Sequence, residues 1–469
     1  MTLLRAGLSV ALVLLYLSTA AAAASRPAIT VDEAVAMALN ANLSLSAAEH
    51  ELSATEWSLW SARASLLPSV RLSSSAVRVD PETYKRANAS LEIAEQFGAD
   101  VEPFLYETTY ETKFTASMPI WNGGRLWGAA GVAGASRDAA RNEWESTRRR
   151  IAVTARESFF GVLRADALLE VSREALAAAG ARVAKIRRKL DLGLSTRAEL
   201  LRWEVERADA ELELVEAENA LSLARTGLAQ ILGLPLDETV RLVAVGRPEL
   251  DASCERFARF LDGPAIGEAE ARRLLGANPD FLVLGDATRI AGSSLTVARG
   301  ALFPSLNASA SYGWKADDDI DPDDERAWTA TLVLDLPVFT SFKNLADYQA
   351  SKRSYLAALE RQEDAERSLV AGLRNAVAVV ASSVKALDAA EALESSAEEQ
   401  HRNTEHRYEL GMASYTDLAD ARVLHYRSRV GSVNALYDCF VALAELERWI
   451  GDGDVSPHGE TVRVKEDSR

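Results

Sequence analysis

Proline cannot sit inside a helix or a central strand without breaking it, so a long stretch without proline constrains the fold strongly. This chain holds two such stretches, one between Pro119 and Pro235 and one between Pro337 and Pro457. Each opens on a matched phrase, "SMPIWNGG" at Pro119 and "DLPVFTSF" at Pro337, an offset of 218 in the numbering. The same offset relates "KLDLGLSTRAEL" to "RYELGMASYTDL", setting Gly193 on Gly411, Leu192 on Leu410 and Leu200 on Leu418. Further upstream the offset is 236: Pro68 in "SLLPSVRL" matches Pro304 in "ALFPSLNA", and Asn42 in "LNAN" matches Asn278 in "LGAN". The change of offset places an insertion in the first copy between Pro68 and Pro119, where it lengthens the segment around Asp80–Thr108. The chain is a tandem repeat, 30–240 and 265–452, joined by a linker over 241–264.

Within each copy the hydrophobic period changes twice. "TVDEAVAMAL" begins with a Thr30-x-x-Glu33 capping box, which predicts a helix running to about Ala64. Between the paired prolines the period becomes two. Leu306, Ala308, Ala310, Tyr312 and Trp314 alternate with small or polar residues, as do Trp328, Ala330, Leu332, Leu334 and Leu336. Tyr110, Phe114, Met118 and Ile120 do the same in the first copy, and the strand from Val70 alternates less cleanly. Strands are predicted over about 68–79, 109–120, 304–315 and 327–338. Ten residues is the length of a tilted strand crossing a hydrocarbon core, and apolar and small polar faces suit a barrel with a wet lumen. The smallest transmembrane barrels have about eight strands, so four strands must close by oligomerisation.

The proline-free runs return to helical spacing. Ala210, Leu214, Ala217, Leu221, Ala224 and Leu228 form one stripe, and Leu201, Val205, Ala208, Leu212 and Val215 form another. Two apolar stripes on one helix imply neighbours on both sides. A helix from about Asn122 to Leu192 would be roughly 105 Å long, about twice the length predicted for 31–64 or 195–230, so two short helices end to end match one long helix. "LGLS" and "LGMA" are then the reversals of the long helices, with glycine as a left-handed C-cap.

The ends and the composition narrow the class. Arg5, the apolar run "AGLSVALVLLYL" and the small residues "STAAAAAS" read as an export signal, residues 1–24, with no cysteine after it to carry a lipid anchor. Residues 453–469 read as a polar tail. A net charge of −17 argues against a nucleic-acid partner. Cys254 and Cys439 are the only cysteines, and a bridge between them stays open. The five histidines include no HExxH pair, and His401 and His406 read as exposed helix residues. No nucleophile, base or metal cluster stands out, so neither an enzyme nor a cofactor is expected. "ADDDIDPDDER" spaces its aspartates like a calcium loop, but Pro322 replaces the required glycine, and it reads as a solvated loop.

These features together resemble the TolC family of bacterial outer-membrane efflux proteins over nearly the whole exported chain. The resemblance rests on "ITVDEAVAMALNAN", "ASLLPSVRL" with "GALFPSLNA", "MPIWNGGR" with "LPVFTSFK", and the two glycine turns. It implies a mainly α protomer with membrane β structure. Three protomers would form a twelve-stranded barrel in the outer membrane, continued by a long α-helical barrel through the periplasm. The linker would join an equatorial belt. The function implied is a passive exit duct for tripartite efflux or type I secretion, working with a periplasmic adaptor (membrane fusion) protein and an inner-membrane transporter of RND, ABC or MFS type. By the same resemblance, the two turns hold the periplasmic aperture and the adaptor contacts. Leu192, Gly193 and Leu194 on the first turn and Leu410, Gly411 and Met412 on the second would then carry docking. Glu199 falls where the first turn carries an aspartate, and Tyr408, Asp417 and Asp420 fall on a tyrosine and two aspartates of the second. Ala413 stands where the family's best-known member has an arginine, which leaves Arg197 and Arg202 as the cations for an ionic lock. The rival reading is a periplasmic coiled-coil adaptor or scaffold without a barrel, which has no need of ten-residue strands with one apolar face.

Overall fold

A computed structural model describes residues 28–96, 106–236, 240–261, 266–316 and 326–450. The export signal, the polar tail and all but the margins of the acidic loop lie outside the described residues. The chain divides into two compact units: one holds residues up to 49, 143–282 and those from 366 onward, and the other holds 50–142 and 283–365.

The second unit contains the sheet. Strands β1 (Ser69–Arg78), β2 (Thr108–Asn122), β3 (Ser305–Ala316) and β4 (Arg326–Asp335) are antiparallel in the order β1-β2-β3-β4, within two or three residues of the sequence-based bounds. The register shows why the period-two pattern matters. Leu72 pairs with Phe114, Phe114 with Tyr312 and Tyr312 with Trp328, which makes one apolar row across all four strands. The adjacent row is Arg71, Thr115, Ser311 and Thr329. Successive side chains point to opposite faces, so one face is apolar and the other small and polar. Among the described residues nothing covers the apolar face, with Trp328 at 75% exposure and Leu332 at 66%. Both β1 and β4 are left as unpaired edges among the described residues. The lengthened first loop contains an unforeseen helix, Pro81–Gln96, capped by Asp80, whose carboxylate accepts the N–H groups of Glu82 and Thr83 at 2.9 and 3.2 Å.

Helices α1 (Val31–Ala41) and α2 (Leu43–Ala64) replace the single helix expected over 31–64; α3 is the loop helix just described. Asn42 causes the break. Its backbone is extended, and its side-chain oxygen accepts the N–H groups of Ser44 and Leu45 at 2.9 and 3.1 Å, capping α2. Asn278, its repeat partner, does the same one copy later. Its oxygen accepts the Asp280 N–H at 2.9 Å, while its amide donates to the Trp449 carbonyl at 2.9 Å.

The first unit is helical. Besides α1 it holds α5 (Arg197–Ile231), α6 (Arg247–Leu261), α7 (Glu268–Leu275) and α10 (Tyr415–Ile450) entire, α4 (Arg125–Asp191) from 143 onward, α9 (Lys343–Glu409) from 366 onward, and the first residues of α2 and of α8 (Pro279–Gly300). α4 and α9 have 67 residues each, about 100 Å of helix, and α5 has 35, about 50 Å. The linker segment carries structure of its own. Ile29 bridges Leu242, and α6 buries Leu250, Phe257 and Phe260 in the main core. The stripe Ala210, Leu221, Leu228 on α5 is buried, with Leu214, Ala217 and Ala224 packed beside it. The second stripe is bare: Leu201, Val205, Leu212 and Val215 are exposed.

Candidate functional site

The two glycine turns end α4 and α9 in the same way. The Leu194 N–H reaches the Lys189 carbonyl at 2.7 Å and the Gly193 N–H reaches Leu190 at 2.9 Å. In the second turn Met412 reaches Arg407 at 2.8 Å and Gly411 reaches Tyr408 at 3.0 Å. This pair of bonds is the Schellman closure, which needs a left-handed residue at its hinge. Gly193 and Gly411 supply it, with φ of 71° and 75°. A β-carbon on either would meet nothing within 4 Å, so the requirement is conformational and not spatial. Around these hinges Leu192, Leu194, Leu410 and Met412 all stand exposed.

The helices leaving the turns are capped at matching positions with different outcomes. Ser414 accepts the Asp417 N–H at 3.1 Å, and the Asp417 carboxylate accepts the Ser414 N–H at 2.8 Å, a closed capping box. Those bonds to Ser414 hold the Asp417 carboxyl below the usual aspartate range. Thr196 likewise accepts the Glu199 N–H, at 3.2 Å, but the Glu199 carboxylate turns elsewhere. It accepts the Ser195 hydroxyl at 2.8 Å and the Tyr408 hydroxyl at 2.5 Å. The first turn is thereby tied to the last turn of α9.

One heptad further up, Tyr415 donates to Glu206 at 2.7 Å, and Glu206 also pairs with Arg422 at 2.7 Å. Trp203 fills the space between these bonds, 1% exposed, in a small core with Val183, Ile186, Leu200 and Leu418. Tyr415 meets it edge-on at 5.1 Å and Tyr408 at 6.4 Å, while the Arg182 guanidinium lies 5.2 Å from the indole centre. Arg182 is held there by an ion pair with Glu405. Burial, reinforced by Glu199, pushes the Tyr408 hydroxyl up to about 12, and burial with Glu206 does the same to Tyr415. Both phenols therefore remain donors at any physiological pH.

Of the residues singled out from the sequence, Glu199 and Tyr408 are brought together and Asp417 caps its own helix. Asp420 is exposed one turn further along and has no hydrogen bond or ion pair among the described residues. Arg202 lies 5.3 Å from the Tyr415 ring and Arg197 is exposed; neither forms an ion pair among the described residues. Trp203, Arg182, Glu206, Tyr415 and Arg422 were not foreseen. A signal for two of them was present: Tyr408 and Tyr415 are seven apart, as are Glu199 and Glu206, one coiled-coil heptad.

An apolar-faced four-stranded sheet with unpaired edges, followed by 67-residue helices that reverse through paired glycine turns, defines a protomer of a membrane channel. The family model for outer membrane efflux proteins matches residues 34–234 and 271–452, and the chain belongs to that family. It is 23% identical over 317 residues to the outer membrane protein TolC of Vibrio cholerae, covering 66% of this chain and 70% of that one. It is 25% identical over 430 residues, 90% of each chain, to the cobalt-zinc-cadmium resistance protein CzcC of Cupriavidus metallidurans. Among solved structures, the outer membrane protein VceC of Vibrio cholerae superposes with a TM-score of 0.74 at 18% identity, covering 90% of this chain and 96% of that one. The family places the protein in the outer membrane, among transport channels.

Proposed function

We propose that three copies of this chain form a passive exit duct across the outer membrane and periplasm, shut at its glycine-turn end until an adaptor engages it. The observation that carries the reading is the sheet. An edge strand in hydrocarbon would leave backbone N–H and C=O groups without partners, at several kcal/mol each. β1 and β4 are such edges, and their apolar rows are bare. Three sheets in a ring remove every edge and make twelve strands. The exposed second stripe of α5 supports the same assembly, because it gives each helical wall an apolar surface for a neighbour. A periplasmic adaptor without a barrel has no use for the sheet.

At the turns, Leu192, Leu194, Leu410 and Met412 form an apolar rim held out by two rigid Schellman closures. We assign adaptor docking to that rim and the closed aperture to the adjoining first helical turns with Glu199, Tyr408, Asp417 and Asp420. An inner-membrane transporter of RND, ABC or MFS type would supply the energy for export. The test is extraction from outer membranes followed by native mass measurement and planar-bilayer recording. A trimer with a low resting conductance supports the duct, and a monomer that leaves the membrane with salt washing rejects it.

A further inference from the structure

Beyond the Trp203 core, away from the second turn, α9 and α10 carry His401 and His425. Their imidazole rings stack across the helix pair, centroids 5.4 Å apart and planes 21° from parallel. The stack faces a cavity of about 460 Å³ enclosed by α4, α5, α9 and α10, all within the first unit. Among the described residues no group of three or more His, Cys, Asp or Glu is placed to hold a metal ion.

Three arginines around the cavity are paired with carboxylates. Arg182 on α4 is taken by Glu405 on α9, Arg422 on α10 by Glu206 on α5, and Arg429 on α10 by Glu174 on α4. Arg427 on α10 and two further carboxylates, Asp209 and Glu213 on α5, line the same space. Tyr426 on α10 completes the titratable groups there. Burial holds His401 below the ordinary histidine range; of the cavity's carboxylates only Glu405 opposes this, while His425, Arg182 and Arg422 reinforce it.

We propose that the His401–His425 stack is a proton-sensitive clasp that holds α9 against α10 when neutral and releases them when acid charges it. Two neutral imidazoles can stack face to face, but two imidazolium rings at the same separation repel, with two guanidinium groups already beside them. Relief requires the rings to part, toward water or toward Asp209 and Glu213 on the opposite wall. The sign follows from linkage. In the packed arrangement His401 binds its proton less readily than an exposed imidazole, whose pKa is near 6.5. The packed arrangement is therefore not penalised above that pH, and it loses stability progressively as the pH falls below it. Imidazole is the side chain whose charge changes in the range an exposed compartment experiences.

Hydrogen exchange of the intact detergent-solubilised protein, read by mass spectrometry on peptides covering 397–409 and 418–430, tests it. After correction for the intrinsic pH dependence of exchange, protection of both segments should fall severalfold between pH 7.5 and pH 5.0. One imidazole excluded from protonation sets a scale of about thirtyfold over that range. His401→Phe with His425→Phe keeps an aromatic stack without a titrating group, and its protection should not respond to pH. If that variant does not assemble, His401→Gln replaces it with the same expectation. Wild-type protection that is flat from pH 7.5 to 5.0, or an equal fall in the substituted protein, overturns the clasp.

Discussion

Tyr408→Phe and Tyr415→Phe remove one oxygen each and leave the rings that pack on Trp203. The Tyr408 and Tyr415 hydroxyls donate to Glu199 at 2.5 Å and Glu206 at 2.7 Å, and with the Glu206–Arg422 ion pair these bonds join α5 to α9 and α10 near the turns. A hydrogen bond to a charged group contributes about 1.5–3 kcal/mol when well shielded. Both phenols are half-buried, so solvent reduces this to about 1 kcal/mol each. One bond then shifts the closed-to-open ratio about fivefold and both together about thirtyfold per protomer, since about 1.4 kcal/mol is a factor of ten. Single-channel recording in planar bilayers should show a higher resting conductance for each variant and a larger one for the pair. A cycle with Glu199→Gln should show coupling with Tyr408→Phe and none with Tyr415→Phe. If the double phenylalanine variant keeps the wild-type resting conductance, these bonds do not hold the aperture, and the closed state is maintained elsewhere.

Gly193→Val and Gly411→Val place a β-branched residue at φ above 70°, where L-residues pay about 1–2 kcal/mol or more. Adaptor affinity should fall about tenfold by surface plasmon resonance with the barrel still inserted, and unchanged affinity in both variants would place docking away from the turns. Asp417→Asn with Asp420→Asn removes six carboxylates from a threefold aperture, so cation selectivity and block by multivalent cations should both drop in bilayer recordings. Persistence of both would mean that these side chains do not face the pore. The Asp417 carboxyl is held low by Ser414, so its cap is in place above the ordinary aspartate range, near pH 4, and is lost as the pH falls through its lowered value. Exchange of the first turn of α10 should accelerate only in that acid window, and acceleration beginning near pH 7 would contradict the assignment. Arg197→Ala and Arg202→Ala test the remaining cations. Arg202→Ala uncovers the Tyr415 ring and should raise the resting conductance, whereas Arg197→Ala, with no partner inside the described protomer, should do so only if Arg197 reaches across a subunit boundary.

Period and punctuation carried most of the fold. The period-two segments fell within two or three residues of the strands because alternation records which face each residue takes, and register follows once one face is apolar. The glycine turns were legible because a left-handed hinge leaves few choices of residue. The break at Asn42 was hidden in plain composition. An asparagine between two helical patterns is compatible with continuation, and only its bonds to Ser44 and Leu45 reveal a cap. The linker helix α6 was missed for a different reason. Leu250, Cys254 and Phe257 are spaced four and three apart, but the charges of Arg247, Glu249, Asp251, Glu255 and Arg256 around them mask the helical pattern. Arg247 is in fact fixed by Asp251, Asp388 and Glu391 at 2.8–3.0 Å. Two of those partners lie far along the chain, and no local pattern announces them.

The turn site shows where duplication stops being a guide. At the offset that aligns the two glycines, Thr196 matches Ser414 and Glu199 matches Asp417, so sequence comparison assigns both acids to one role. Two differences separate them. Glutamate has one more methylene than aspartate, enough to leave its own cap and reach the Tyr408 hydroxyl. Asp417 has no corresponding target, because the position matching Tyr408 is Leu190. The same holds a heptad on, where Tyr415 matches Arg197 and Glu206 matches Leu424. Both of these phenols thus come from the second copy and both accepting carboxylates from the first. These two bonds are directional, and no symmetric exchange of partners can replace one that breaks. Separation of the pairs therefore strands a half-buried carboxylate on α5 each time, while the capping box at Asp417 stays closed and lets α10 move as an intact helix.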